Sequence, residues 1–277
     1  MPNPFLRCLL ALALTMSLSG CGLAEYEERL QRSTQLYNYL ATLDGALAQN
    51  PWKRGDVGMA MRVPQPFNQP LAGPEVLTDD DGNQFYGPDP RQPDYMPLGL
   101  PGIVEAWQAE FPTDSGESAN AYLYVLSNFD RFLTAQDGGP DPMEFLTDVE
   151  ISLANAFGVA FPEGEAQQAL DNHRFREFHP ARNHDHAQFT VPKDYLALRV
   201  VPAEPIGDIP YEAVAYERTS GDIQTVVLLV TPGPTSAQFR QRVDLALQTL
   251  EVSGQAPRTG GGEPSGGSPG SGGASQF

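Results

Sequence analysis

PYEAVAYER at 210–218 and IQTVVLLVTP at 223–232, joined by Thr219-Ser220-Gly221-Asp222, decide the fold class. Both runs are rich in β-branched, aromatic and small apolar residues, both are bounded by proline, and the Ser-Gly-Asp step between them is a turn signal. They predict an antiparallel hairpin. FTVPKDYLALRVVP (189–202) precedes it as a third strand. Further upstream, AYLYVLSNFD (121–130) is a strongly apolar strand. Before it, Ile103, Trp107 and Phe111 fall at positions that share one face of a strand, and PTDSGESAN (112–120) reads as a long hairpin loop between the two. GMAMRVPQPF (58–67) reads as an opening strand stopped by proline. Residues 68–101 are rich in Pro, Asp, Gly and Gln, with a turn at Asp79-Asp80-Asp81-Gly82-Asn83 and room for one short strand at Gln84–Tyr86.

Helices interrupt this series twice. Asp141 fits an N-cap, Pro142 the first helical position and Glu144 the reciprocal position of a capping box, ahead of a stripe of Leu146, Val149, Leu153 and Phe157. A last helix is predicted from Thr235, with Gln238 in the reciprocal capping place and Phe239, Val243, Leu247 and Leu250 buried. Strand, hairpin, helix, three strands and helix in that order predict an α+β fold over residues 51–254, its mainly antiparallel sheet flanked by helices. The opening strand that ends Arg62-Val63-Pro64, with Phe67 beyond, and the closing helix resemble the PsbP/Mog1-type sandwich over residues 58–252. That group consists mostly of binding and assembly factors, so the resemblance implies docking rather than chemistry.

Ahead of the domain, LAEYEERLQRSTQLYNYLATLDGALAQ (23–49) carries Leu23, Tyr26, Leu30, Tyr37, Leu40 and Leu47 at three- and four-residue steps, broken by Ser33 and Asp44. Glu28 and Arg32 add a favourable i, i+4 pair. The segment suits an amphipathic helix serving as a docking helix, a stalk or a short coiled coil. Behind the domain, residues 255–277 contain GGGEPSGGSPGSGG and should stay disordered. Their glycines mimic a phosphate loop without the strand and helix that such a loop needs.

Residues 1–20, MPNPFLRCLLALALTMSLSG, place Arg7 before an apolar run from Cys8 to Met16 and then small residues, the order of a secretory signal peptide. The run is about half of the ~20 residues that a spanning helix needs. Leu18-Ser19-Gly20-Cys21 then resembles the lipobox of bacterial lipoproteins. The resemblance implies cleavage before Cys21, diacylglycerol on its thiol, and often a further fatty acyl chain such as palmitate on the new amino group. Several chains at about 0.8 kcal/mol per buried CH₂ would hold a soluble domain on a membrane. In lipoproteins of two-membrane bacteria, Asp after the cysteine favours the inner membrane; Gly22 stands here, which leans toward the outer one. The expected setting is thus the cell envelope, with an unidentified envelope protein or ligand as partner.

Seventeen Lys+Arg against 35 Asp+Glu give a formal charge of −18, and losing Arg7 with the leader makes it more negative. Such a charge repels phosphate backbones, which argues against nucleic acid. Cys8 and Cys21 are the two cysteines. If one leaves with the leader and the other carries lipid, thiol catalysis, Cys-ligated zinc and disulfides are excluded.

His173, His179, His184 and His186 lie within fourteen residues. In an extended chain His184 and His186 point the same way, and with His173 or His179 they would make a site for zinc, copper or nickel. A solvated polar loop explains the same residues, and Arg174, Arg176 and Arg182 disfavour a cation. The Asp79–Asp81 run lacks the glutamate of an EF-hand, since Pro90 stands where it belongs. Ser115 and Ser220 each precede a glycine without a full nucleophile elbow. Carboxylate pairs such as Asp148 with Glu150 and Glu105 with Glu110 read as surface charge. Tyr122 and Tyr124 share a strand face, where they line a groove or pack in the sheet. No catalytic residue is assigned, and binding or assembly without a resident cofactor is the leading expectation; the alternative is a metal-binding protein or metal-dependent enzyme built on the 173–186 histidine cluster.

Overall fold

The computed structural model describes residues 4–257 apart from 80, 94, 97, 114–115, 160–172 and 203. In chain order the elements are α1 (Pro4–Ala46, side chains described from Leu23), β1 (Trp52–Arg54), β2 (Met59–Met61), β3 (Gln69–Pro70), β4 (Val76–Thr78), β5 (Gln84–Tyr86), β6 (Ile103–Pro112) and β7 (Ser118–Ser127). There follow α2 (Phe129–Thr134), α3 (Phe145–Phe157), β8 (His173–His179), β9 (Lys193–Val200), β10 (Glu212–Ser220), β11 (Ile223–Thr231), α4 (Ala237–Thr249) and β12 (Glu251–Val252). The fold is α+β. A seven-stranded sheet runs β3-β6-β7-β11-β10-β9-β8 with every neighbouring pair antiparallel, and a three-stranded sheet runs β1-β2-β12.

Both faces of the large sheet are covered. On one, Val125, Tyr216, Val227 and Leu229 meet Phe239, Val243 and Leu247 of α4, together with Met59 and Met61 of the small sheet. On the other, Tyr124, Leu198, Ala215 and Leu228 meet Phe145, Val149 and Leu153 of α3, and Met96, Leu98 and Leu100 from the loop before β6. Double cover explains the composition of β11, which lies at the sheet centre with all nine residues buried. A strand with a face in water would have alternated.

The β10–β11 hairpin is tighter than the four-residue joint read from sequence: Ser220 pairs with Ile223 and leaves two residues in the turn. Gly221 adopts φ +58, and a Cβ there would come within 2.2 Å of the Gly254 carbonyl oxygen, so the turn and the crossing chain both demand glycine. The loop expected at 112–120 shrinks likewise, because Pro112 pairs with Ser118. The ladder of the opening strand covers Met59–Met61, with one further bridge from Pro64 to Leu47, while Val63 and Phe67 still reach the core. β1 had no reading in the sequence. The short strand at Gln84–Tyr86 is present, closed by Asp79, whose carboxylate accepts from the Asp81 and Asn83 amides.

Asp141 does cap, accepting from the Met143 amide, but it opens a 3₁₀ turn (Pro142–Glu144) that delays α3 by one turn. Phe145 therefore takes the core position expected of Leu146, which is only partly buried. At α4 the cap is Ser236, accepting from the Phe239 amide, rather than Thr235. Phe239, Val243 and Leu247 lie on its buried face as expected, and Leu250, also buried, caps its end.

α1 docks chiefly by its last two turns, with the Gln188 side-chain amide also donating to Gln35 at 3.4 Å. Tyr39, Leu43, Ala46 and Leu47 pack against Leu245 and Ala246 of α4 and against Phe189. Arg62 fixes the junction by reaching Asp44 at 2.9 Å and the Ala48 carbonyl at 2.9 Å. The three- and four-residue seam read from sequence is a different face: of its apolar members only Leu47 is buried. Cys21 belongs to the portion of α1 whose side chains are not described, and the tail from 258 onward lies outside the described residues.

Candidate functional site

β8 closes one edge of the large sheet, and its alternation divides its side chains between the two covers. Phe175, Glu177 and His179 face α4; Arg174 faces α3 and reaches Glu150. The strand stops at Pro180, and the chain turns back through 181–189 along α4, closing a depression of about 360 Å³. His179, His184, His186, Glu177, Asp244 and Gln248 are among its walls. A second depression of about 410 Å³ shares Glu177, Gln241 and Asp244 and continues past Tyr216 to Arg240, Arg199 and Glu212. Together they form an open groove between α4 and the β8 edge of the sheet.

His179 is its centre. The residue is 6% exposed. Nε2 lies 3.0 Å from the Glu177 carboxylate and Nδ1 lies 3.5 Å from that of Asp244. The ring meets Tyr195 and Tyr216 edge-on, at 5.6 and 5.8 Å between centroids. Only the doubly protonated ring donates on both nitrogens; a neutral ring donates to one carboxylate and turns a lone pair to the other. Burial raises the Asp244 carboxyl above the usual range; the facing His179 opposes this and Glu177 adds to it. At the groove's far end Arg199 and Glu212 pair at 2.9 Å. The arrangement sets one imidazole between two carboxylates and presents mixed charge to a ligand. Among the described residues lining the His179 depression there is no Ser, Thr, Cys or Lys to act as a nucleophile.

The histidine cluster is only partly assembled. Residues 173–179 form a strand, not the loop expected, and His173's side chain is not described. His184-Asp185-His186 is not extended either. His184 caps a 3₁₀ turn (Asp185–Gln188), its Nδ1 accepting from the His186 amide at 3.1 Å. The two rings meet at 4.2 Å, and His186 lies against Tyr39 at 4.7 Å. Burial and then the neighbouring His184 push His186 below its ordinary range. His179, His184 and His186 thus share one depression, with two nitrogens of His179 turned to carboxylates. Among the described residues no group of three or more His, Cys, Asp or Glu side chains gathers around one point as an ion would require.

Tyr122 and Tyr124 stack at 6.1 Å and are both buried, under the loop that carries Tyr95. The Tyr124 hydroxyl donates to the Arg91 carbonyl at 2.8 Å. They pack in the core on the α3 face of the sheet.

Two features escaped the sequence reading. One is the pair of carboxylates around His179. The other is a sealed cluster on the opposite face, where Glu150 of α3 and Glu217 of β10 share Arg174. Burial, and then the neighbouring Glu150, push the Glu217 carboxyl up to about 8. A signal for it was present: Glu217 follows Ala213 and Ala215 on one strand face, and both alanines are fully buried.

No family model, curated protein or solved structure matches the chain.

Proposed function

We propose that the chain is a cell-envelope lipoprotein, held on a membrane through lipid at Cys21, whose domain binds another envelope component in the groove around His179. Binding or assembly, rather than catalysis, is its task. The observation that carries the anchored reading is Leu18-Ser19-Gly20-Cys21 behind a short apolar leader. Among the described residues no helix is long and apolar enough to cross a membrane, so the lipid is the attachment proposed. Gly22 favours the outer membrane of a two-membrane cell. The sandwich with both faces covered is in keeping with the PsbP/Mog1-like resemblance, and the net charge of −18 supports a protein or small-ligand partner over nucleic acid.

Radiolabelled palmitate fed to cells expressing the full chain should appear in the mature protein and in the membrane fraction. Cys21→Ala should abolish both. Label persisting in that variant, or wild-type protein free in the soluble envelope fraction, would sink the anchored reading.

A second reading starts from His179, His184 and His186 lining one depression: a metal-binding protein or metal-dependent enzyme taking zinc, copper or nickel. Calorimetric titration with each ion checks it. Stoichiometric binding lost in His184→Ala/His186→Ala supports the metal protein, and no heat above dilution removes it.

A further inference from the structure

The helix α1 keeps two faces apart. Its last turns bury Tyr39, Leu43, Ala46 and Leu47 in the domain. Leu23, Tyr26, Leu30, Tyr37 and Leu40 remain 63%, 63%, 55%, 70% and 41% exposed. At 100° per residue their stripe is centred about 130° around the helix from the docked face. Nothing in the described fold covers it.

The spacing says what fits. Leu23, Tyr26, Leu30, Ser33, Tyr37 and Leu40 advance by alternating steps of three and four, the a and d positions of two and a half heptads. A 3.5-residue repeat matches another helix with the same repeat, because only then do knobs keep meeting holes along the seam. The seam ends for identifiable reasons. At the next a position Asp44 turns to Arg62, and at the next d position Leu47 is fully buried in the domain. The free length is therefore residues 23–40, about 27 Å of helix.

We propose that this stripe is a self-association seam, occupied by the same segment of a second copy in parallel and in register. The single polar position sets the direction. In parallel register the two Ser33 side chains share one layer, and each hydroxyl already donates to its own Arg29 carbonyl at 2.9 Å. In the antiparallel arrangement that pairs Leu23 with Leu40, each Ser33 would instead face Leu30 and interrupt two apolar layers. A lipid surface is a poorer occupant: Glu25, Glu27 and Glu28 outnumber Arg29 and Arg32 on the same segment, and Arg29 is paired with Glu25. So short a seam is weak between free molecules. The proposal takes from the anchored reading one thing, confinement of both copies to a membrane, which raises the local concentration to about the millimolar range.

The test uses the full chain in isolated membranes, with Ser33→Cys in the seam and Glu28→Cys on the outer face, oxidised by copper phenanthroline. A d-layer pair in parallel register lies within reach of a disulfide. Ser33→Cys should give a dimer of twice the chain mass in at least about tenfold higher yield than Glu28→Cys or the unsubstituted chain. Adding Leu30→Asp/Tyr37→Asp, two positions that face solvent in the fold, should remove it. Equal yields at both positions, no dimer at Ser33→Cys, survival of the dimer in the double-aspartate variant, or an adduct of another mass would each overturn the seam. Palmitate label is read in the same samples. Label without dimer defeats the seam alone, and dimer without label defeats the anchor alone. Where neither appears, Ser33→Cys is oxidised again at about millimolar protein, and failure there defeats the seam as well.

Discussion

Each face of the large sheet carries two carboxylates around one nitrogen base, and the two trios live under opposite conditions. On the α4 side, His179 sits between Glu177 and Asp244, whose side chains are 36% and 46% exposed at the wall of a groove. On the α3 side, Arg174 serves Glu150 and Glu217 beneath a helix; the Arg174 and Glu150 side chains are 29% and 17% exposed, and Glu217 is buried with one carboxylate oxygen unpartnered. Water decides what each trio does. Charges that keep contact with solvent cost the fold little and stay available to a ligand. Charges sealed under a helix must share a proton, which ties them to stability. The open trio is therefore the candidate binding centre, and the sealed one is a structural feature that responds to pH.

The comparison assumes that both covers belong to the fold and that α4 is not a detachable lid. Leu153 of α3 and Leu247 of α4 are both fully buried. Leu153→Ala and Leu247→Ala should each cost about 3 kcal/mol in urea unfolding. A loss below about 1 kcal/mol for Leu247→Ala alone would show a mobile α4, and the groove would then be a consequence of its position.

The sealed trio should give the next largest effect. Glu217 is raised from the ordinary carboxylate range to about 8. Its folded form holds the proton more tightly than its unfolded form. Its contribution is present below the unfolded value of 4.5 and is lost as pH rises through about 8. Between pH 5 and 8.5 the wild type should lose most of this contribution. Glu217→Gln, neutral at every pH, should flatten that slope while leaving stability at pH 5 little changed. Urea midpoints at the two pH values check it, and an unchanged slope in the variant would place the titration elsewhere.

What the residues disclosed in advance divides along the same line. The apolar patterns were legible because periodicity and burial are local facts: all four α4 core residues and the β10–β11 hairpin could be read directly. Element ends were less so, since Ser236 beat Thr235 as the cap by geometry that neighbouring hydroxyls do not advertise. The trios were not legible. Asp244 and Glu177 lie 67 positions apart and meet only because α4 crosses the β8 edge. The four histidines were conspicuous in the sequence, yet the strand that begins at His173 carries His179 inward while His184 is spent on capping a turn. Tyr122 and Tyr124 were assigned to one strand face correctly; that the loop around Tyr95 would bury this face depends on residues nearly thirty positions away.

α4 supplies Asp244 to the open trio only while its first turn holds. Ser236→Ala removes the acceptor for the Phe239 amide and should cost about 1 kcal/mol, read as a shifted thermal midpoint. If the groove is a consequence of α4's whole buried face, the loss stays thermodynamic, and the His179 ring signals in NMR keep their positions at temperatures where the variant is folded. A displaced His179 environment in folded protein would mean that the cap also sets the site.

The smallest expected effect is the most discriminating. Asp244→Asn keeps the shape of the side chain and removes one of the two carboxylates facing His179. With 46% of that side chain in contact with solvent, screening reduces what the interaction contributes, and the variant should lose no more than about 0.5 kcal/mol in urea at pH 7. Two results are informative in opposite directions. A change within that limit leaves the trio free to serve a ligand, because nothing in the fold depends on it. A loss of about 2 kcal/mol would mean that exposure does not separate the two trios. His179, Glu177 and Asp244 would then be holding α4 to the sheet edge, and the search for a binding centre would move elsewhere on the domain.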